Sequence, residues 1–490
     1  MFDIVIVGGG PAGVTAALRA RELGASVALI EKKRLGGTCT NDGCVPTRVL
    51  AKAARLMRDS QQFADYGLIL SRPPVVDFAA VMRRTKTVVE EVHSKKQLIE
   101  HLKGVGVTLH TDAGNAHFVD AHKMQTEHAG KIEGDRFVLC AGGRARELPF
   151  PGAEYAVNSS SLWELDHRPS SIAIIGSGPT GCQLASVFAD FGVPVTLLDI
   201  ADRVLFTEDH DTSAEIRRCF EDRGIELRLG IGGIDRIDRI EPVDQHGNRF
   251  NLKYHSVDGT SHTVSVGEVV ASVGWPGNTD PLRLDAAGVK TQRSFVLVDD
   301  YLRTSVPHIY AAGDITGRSM LVQSAGYQAR VAVENALLSY EQALRQQLVP
   351  HGGFTDPEYG SVGLTEAQAR QRYDVVVAKV PYADLDRAVI DGRLIGFCKL
   401  VVDRRQGKVL GAHVVGEHAV EIVSTVSAGM ASGLSIEALA DLELAYPTFV
   451  SILGLAAREI VRDRGTIAVT PEWRELRQTR GAEWERTSSK

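Results

Sequence analysis

An excess of charge of either sign is missing from this sequence. Its 490 residues carry 55 Lys+Arg against 61 Asp+Glu, a net charge of −6, so no basic surplus exists to neutralise a phosphate backbone. Nucleic acid is therefore not an expected partner. Cysteine is scarce as well, and six in so long a chain cannot frame a disulfide scaffold. No run of eighteen apolar residues occurs, which leaves no candidate bilayer span. No basic-apolar-small leader precedes Met1-Phe2-Asp3-Ile4-Val5, and the expected setting is cytoplasmic. Aromatic residues make up only 6%, yet 44% hydrophobic and 24% charged residues describe ordinary folded protein rather than a disordered scaffold. At about 150 residues per domain, the length suggests about three domains.

Glycine is what the sequence has in quantity, 48 residues, and position gives the count its meaning. The apolar run Phe2 to Val7 ends in Gly8-Gly9-Gly10-Pro11-Ala12-Gly13, continues at helical spacing through Ala16, Ala17 and Ala20, and reaches a second apolar run closed by Glu31. Strand, glycine turn, helix, strand and acid follow in order. The same grammar repeats from Ser171 to Ile175, through Gly176-Ser177-Gly178-Pro179-Thr180-Gly181, to Val195 to Leu198 and Asp199. A pyrophosphate needs backbone N–H donors at a helix N-terminus and no side chain in its way, so Gly8, Gly10 and Gly13, and again Gly176, Gly178 and Gly181, read as two dinucleotide sites. A carboxylate such as Glu31 or Asp199 accepts from ribose hydroxyls and repels a 2′-phosphate. Asp199 thus argues for NAD over NADP at the second site, with Arg203 the only nearby cation on the other side of the argument.

Two cysteines stand apart from the rest in Gly36-Gly37-Thr38-Cys39-Thr40-Asn41-Asp42-Gly43-Cys44-Val45-Pro46-Thr47-Arg48. A helix beginning near Thr40 would place the thiols about one turn apart, where a disulfide can form and break. Zinc would need two further ligands, and no second Cys/His set lies nearby, so no metal is expected. Cys140, Cys182, Cys219 and Cys398 read as small buried hydrophobes. Elsewhere, Pro74 to Leu102 predicts one long amphipathic helix, and the chain after Pro350 predicts strands at Gly396 to Asp403 and Val409 to Val415 with helices at Val420 to Gly433 and Ser435 to Leu442. Thr466 to Lys490, with Trp473 and Trp484, reads as a charged tail or surface helix.

Taken together, the two glycine motifs, the Gly36 to Arg48 string, Ile309 to Gly317 and Phe354 to Thr365 resemble the pyridine nucleotide-disulfide oxidoreductases over roughly residues 1 to 460. The resemblance implies an α/β fold with two Rossmann-like dinucleotide-binding domains plus an α+β C-terminal dimerisation domain. Its implied division is an FAD domain at 1–150 and 276–348, an NAD(P) domain at 151–275, an interface domain at 349–465 and a charged tail at 466–490. FAD would be held by Gly8, Gly10, Gly13, Glu31, Gly37, Thr38 and Asp314, and the nicotinamide nucleotide by Gly176, Gly178, Gly181 and Asp199. Cys44 would be the thiol against the flavin, Cys39 the thiol that exchanges with substrate, and the active site would be built across a homodimer.

The departures from the family pattern are as informative. Most disulfide reductases of the family carry His-Pro-Thr with a Glu five residues after the His; Tyr446 and Ser451 stand in those places, and a phenol of pKa ~10 moves protons poorly at neutral pH. The family's Lys–Glu pair beside the flavin becomes Arg48 and Gln183, which predicts a fixed positive charge facing a neutral amide. Tyr446 and Leu385-Asp386-Arg387-Ala388 resemble the mercuric-reductase branch, but no cysteine follows Cys398 to deliver a metal. The expected activity is NADH oxidation through flavin and Cys39/Cys44 to a small-molecule acceptor. A disulfide reductase or dihydrolipoamide dehydrogenase with atypical proton handling, a diaphorase, quinone reductase or transhydrogenase, and a redox sensor remain as alternatives.

Overall fold

The computed structural model describes all residues except 159, 346–347, 469, 473–482 and 487–490. Its first sheet is laid down by strands with apolar stretches buried on both faces, Ile4 to Val7, Val27 to Ile30 and Phe137 to Leu139, which parallel βαβ connections achieve. Phe2–Val7 runs parallel to Val27–Ile30 on one side and Lys131–Leu139 on the other. Ile309–Ala311, far along the chain, returns to pair in parallel with Lys131–Leu139. A second parallel sheet has the order Glu226–Leu229, Val195–Asp199, Ile172–Ile175, Glu268–Ala271, Val157–Asn158. The third is antiparallel, with His351–Gly353, Tyr359–Gly363, Val409–Val415, Phe397–Asp403 and Val375–Pro381 in that order, backed by helices Ala419–Ala431 and Ile452–Arg464. The expected α/β architecture with two dinucleotide folds and an α+β C-terminal unit is what forms. No helix among the described residues is long and apolar enough to cross a membrane.

Three local expectations need correction. The stretch from Pro74 is two helices, Phe78–Lys96 and Leu98–Gly104. Asp77 begins the first by accepting from the Ala80 N–H at 2.9 Å, and Gln97 ends it with φ 44°, a left-handed residue that periodicity does not reveal. The cysteine segment also breaks: Gly37–Asn41 is one short helix, Asp42-Gly43 interrupts it, and Cys44–Asp59 restarts. Cys44 therefore occupies the first position of a sixteen-residue helix rather than the second turn of one begun near Thr40.

The third correction concerns the tail. Trp473 lies outside the described residues, but Glu483 to Arg486 fold back onto the C-terminal unit. The Arg486 side chain is fully buried and donates to Asp384 at 2.8 Å and Glu459 at 2.6 Å. Glu483 accepts from Arg458 at 2.9 Å and also pairs with Arg462. Interleaved Arg and Glu, read as a solvated face, instead supply both halves of a buried clamp. Arg486→Met should strand two carboxylates and release the segment, costing about 3 kcal/mol of local stability. Limited proteolysis should then remove the C-terminus at least several-fold faster than in the wild type.

Candidate active site: two nucleotide cradles around a dithiol

One cavity of about 2110 Å³ is lined by both glycine turns, by Glu31 and Asp199, and by Cys39 and Cys44. Each turn divides its labour. A Cβ on Gly8 would lie 2.3 Å from the Cys140 carbonyl oxygen, and one on Gly13 1.7 Å from that of Gly8, so these two glycines permit close helix–strand packing. At Gly10 the nearest atom would be 3.6 Å away, and its open side faces the cavity. The second turn repeats the pattern: a Cβ on Gly176 or Gly181 would lie 2.2 or 1.8 Å from a carbonyl oxygen, and one on Gly178 would meet nothing within 4 Å. Space over the middle glycine, at a helix start, is what a pyrophosphate requires, so the residues fit dinucleotides at both sites.

The closing acids are held alike. The Gly9 N–H donates to Glu31 Oε2 at 2.7 Å and the Lys33 N–H to Oε1 at 2.9 Å. Ser177 donates from its backbone N–H and, at 2.7 Å, from its hydroxyl to Asp199 Oδ2, while the Ala201 N–H reaches Oδ1 at 2.9 Å. Arg203 turns away from Asp199 to donate to the Phe206 carbonyl. Asp314 lines the cavity with no hydrogen-bond or ionic partner among the described residues, and burial holds its carboxyl above the usual range. An acceptor left in that condition suits a hydroxyl-bearing ligand.

The two thiols touch each other, and they ionise unequally. Cys44 is brought down to about 7, first by the hydrogen bond from Cys39, with help from the amide groups at its helix start, whereas that same contact and burial push Cys39 far up. The contact therefore favours a thiolate at Cys44 over one at Cys39. The other four cysteines are buried, and desolvation raises Cys140 and Cys398 to about 12. Among the described residues no three His, Cys, Asp or Glu side chains converge as a metal site.

Arg48 does not face Gln183. Its guanidinium lies 4.2 Å over the Phe354 ring and 3.6 Å from Glu358, outside the cavity wall. Gln183 lines the cavity but turns its amide to the Pro179 carbonyl at 2.9 Å and the Phe354 N–H at 3.2 Å. The correction has a steric and electrostatic cause: an aromatic face and a carboxylate offer a cation more than a neutral amide does. Both partners sit inside the quoted Phe354 to Thr365 string, yet nothing in their spacing marks them. Burial, then Glu421, pushes Glu358 up to about 7.

Tyr446 also lies outside this chain's cavity. Its hydroxyl donates to Asp386 at 2.7 Å, its ring rests 5.1 Å from that of Trp484, and it remains 54% exposed. Ser451 donates to the Thr448 carbonyl at 2.6 Å within its own turn and orients nothing beyond it.

Two cradles that fit dinucleotides share one cavity with a pair of thiols, the set of groups a flavoprotein disulfide oxidoreductase needs. Residues 2–329 match the family model described as pyridine nucleotide-disulphide oxidoreductase, and 349–457 match that family's dimerisation domain; the chain belongs to this FAD- and NAD(P)H-dependent oxidoreductase family. It is 32% identical over 467 residues to a mercuric reductase of Staphylococcus aureus, covering 94% of this chain and 83% of that one. Identity is also 32%, over 464 residues, to a dihydrolipoyl dehydrogenase of Geobacillus stearothermophilus, covering 93% and 95%. Among solved structures, the HOCl-induced flavoprotein disulfide reductase RclA from Escherichia coli superposes with a TM-score of 0.82 at 27% identity, covering 93% and 99%, and its Cu(II) complex superposes at 0.81, again at 27% identity, covering 93% and 98%.

Proposed function

We propose that the chain is a homodimeric cytoplasmic enzyme that oxidises NADH and passes the electron pair through FAD and Cys39/Cys44 to a thiophilic metal cation. The observation that carries the reading is the single cavity shared by both cradles and both thiols. Gly8, Gly10, Gly13, Glu31, Gly37, Thr38 and Asp314 would hold FAD, and Gly176, Gly178, Gly181 and Asp199 would hold NADH. When bound, FAD supplies the two-electron carrier between nicotinamide and sulfur. Opening the Cys39–Cys44 bond with one hydride equivalent yields a thiolate and a thiol, so NADH plus disulfide balances NAD⁺ plus S⁻ plus SH. Cys44 takes the thiolate and Cys39 the proton, in keeping with their acidities.

Tyr446 and Ser451 favour the metal acceptor. A disulfide substrate leaves as a thiolate that must be protonated, and the Asp386 carboxylate holds the Tyr446 phenol above its ordinary range. A divalent cation taking the electron pair needs no incoming proton: thiolate, thiol and M²⁺ give disulfide, M⁰ and H⁺, or two one-electron ions share the pair. Relatives named mercuric reductase and a solved Cu(II) complex lie in the same chemical direction. Steady-state turnover should show NADH oxidation with Hg(II) or Cu(II) and little with lipoamide or glutathione disulfide. Faster turnover with either disulfide would overturn the assignment. Tyr446→His alone should leave disulfide turnover low, because Ser451 supplies no carboxylate; full activity in that variant would sink the argument.

A further inference from the structure

We propose that Lys96 is a positioning residue of the Cys39/Cys44 dithiol, its ammonium docked on the residue after Cys39 so that it stabilises the thiolate formed on reduction. The inference rests on the dithiol cycle proposed above. Lys96 closes the helix Phe78–Lys96 and donates to Thr40 Oγ1 at 2.9 Å; the Thr40 side chain is buried. One turn earlier, His93 Nε2 meets Asn41 Oδ1 at 2.7 Å. Two consecutive residues of the five-residue helix that carries Cys39 are thus gripped from one helix end. The same helix ties the preceding loop through a two-pronged contact of Arg34 with Glu90, at 2.7 and 2.6 Å.

Lys96 is unusual among these groups because no carboxylate neutralises it among the described residues. Its charge acts on both thiols in the direction of ionisation. The other charged groups around the dithiol cannot supply this. Asp314, which lines the same cavity, opposes ionisation of both sulfurs. His93 is held below its ordinary range, first by burial and then by Arg34, which disfavours its charged form. Arg34 is committed to Glu90, and burial raises Asp42. The start of helix Cys44–Asp59 favours the thiolate at Cys44 but carries no net charge. Lys96 is the positive charge that offsets Asp314 at both sulfurs.

The experiment is alkylation of the NADH-reduced holoenzyme by iodoacetamide between pH 5 and 9, with modified cysteines identified by mass. Wild type, Lys96→Met and Lys96→Arg are compared. Lys96→Met should shift the alkylation midpoint upward by about half a unit to one unit, a roughly three- to tenfold loss of rate at pH 6. Lys96→Arg should restore it, and the difference should shrink at high salt because the ammonium is solvent-accessible. Two NADH-released thiols in the wild type with an unchanged midpoint in Lys96→Met would overturn the role of Lys96 alone. A displaced midpoint that Lys96→Arg fails to restore would also overturn it, since packing rather than charge would be responsible. Absence of any NADH-released thiol in the wild type would overturn the dithiol reading as well.

Discussion

Cys44→Ser is expected to lose the long-wavelength charge-transfer absorbance that appears on NADH reduction, and Cys39→Ser is expected to keep it. The asymmetry follows from position. Cys44 begins a sixteen-residue helix whose unpaired N–H groups favour a thiolate, and its thiol is lowered to about 7, so at neutral pH it carries the charge that an adjacent ring can accept. Cys39, in the short helix before the break, favours the protonated form and must pass its proton to the Cys44 thiolate or to solvent before it attacks an acceptor. Both variants should lose acceptor turnover by about a thousandfold or more, the scale on which loss of a nucleophile acts, or about 4 kcal/mol in the barrier. Stopped-flow absorbance separates the two readouts. A band that survives in Cys44→Ser and vanishes in Cys39→Ser would reverse the assignment.

The largest expected loss of stability lies where the second nucleotide unit meets the C-terminal unit. Lys399, 2% exposed, donates to Asp209 at 2.8 Å and Asp211 at 2.7 Å, and lies 2.6 Å from Glu366. Asp209 and Asp211 begin the helix His210–Asp222, whereas Lys399 and Glu366 belong to the C-terminal unit, so one ammonium bolts two units together. Lys399→Met would strand the buried Asp209 carboxylate and leave Asp211 and Glu366 only their outer partners, Lys379 at 3.0 Å and Arg370 at 2.7 Å, a cost of about 3–5 kcal/mol. The pH dependence has a definite sign. Asp209, Asp211 and Glu366 are lowered in the fold despite burial, mainly by hydrogen bonds from Lys399, so they stabilise above their unfolded values of about 4 and lose that contribution as pH falls. Lys399 is raised by the same contacts against the opposing effect of burial, so its contribution is complete below about 10.4 and fades only at higher pH. The difference in melting temperature between wild type and Lys399→Met should be largest near pH 7 and shrink toward pH 4, as the stranded carboxylates protonate. Equal melting temperatures at pH 7 would refute the bolt.

Neighbouring contacts cross the same boundary. His351 Nε2 meets Glu208 Oε1 at 3.0 Å, and Ser361 donates to Glu208 Oε2 at 2.6 Å. None of these pairings is adjacent in sequence, and each member looks like an ordinary surface polar residue when read alone. Periodicity reports which face of an element is apolar; it is silent about which distant carboxylate a buried lysine will meet. The same silence explains Arg48, whose partners Phe354 and Glu358 arrive from the C-terminal unit.

The sequence by itself determined the two nucleotide cradles, the dithiol and the absence of the usual proton-transferring pair, because each depends on residue type at short, fixed spacing. A glycine where a Cβ would lie 1.7 Å from a carbonyl oxygen, or an acid at the end of a strand, is a local requirement that a local string can state. Tertiary structure alone decided where Arg48 points, how Arg486 anchors the tail and what Lys96 touches. Those outcomes depend on groups brought together from far along the chain and on how deeply they are buried, and Coulomb and desolvation energies are set by separation in space rather than along the sequence.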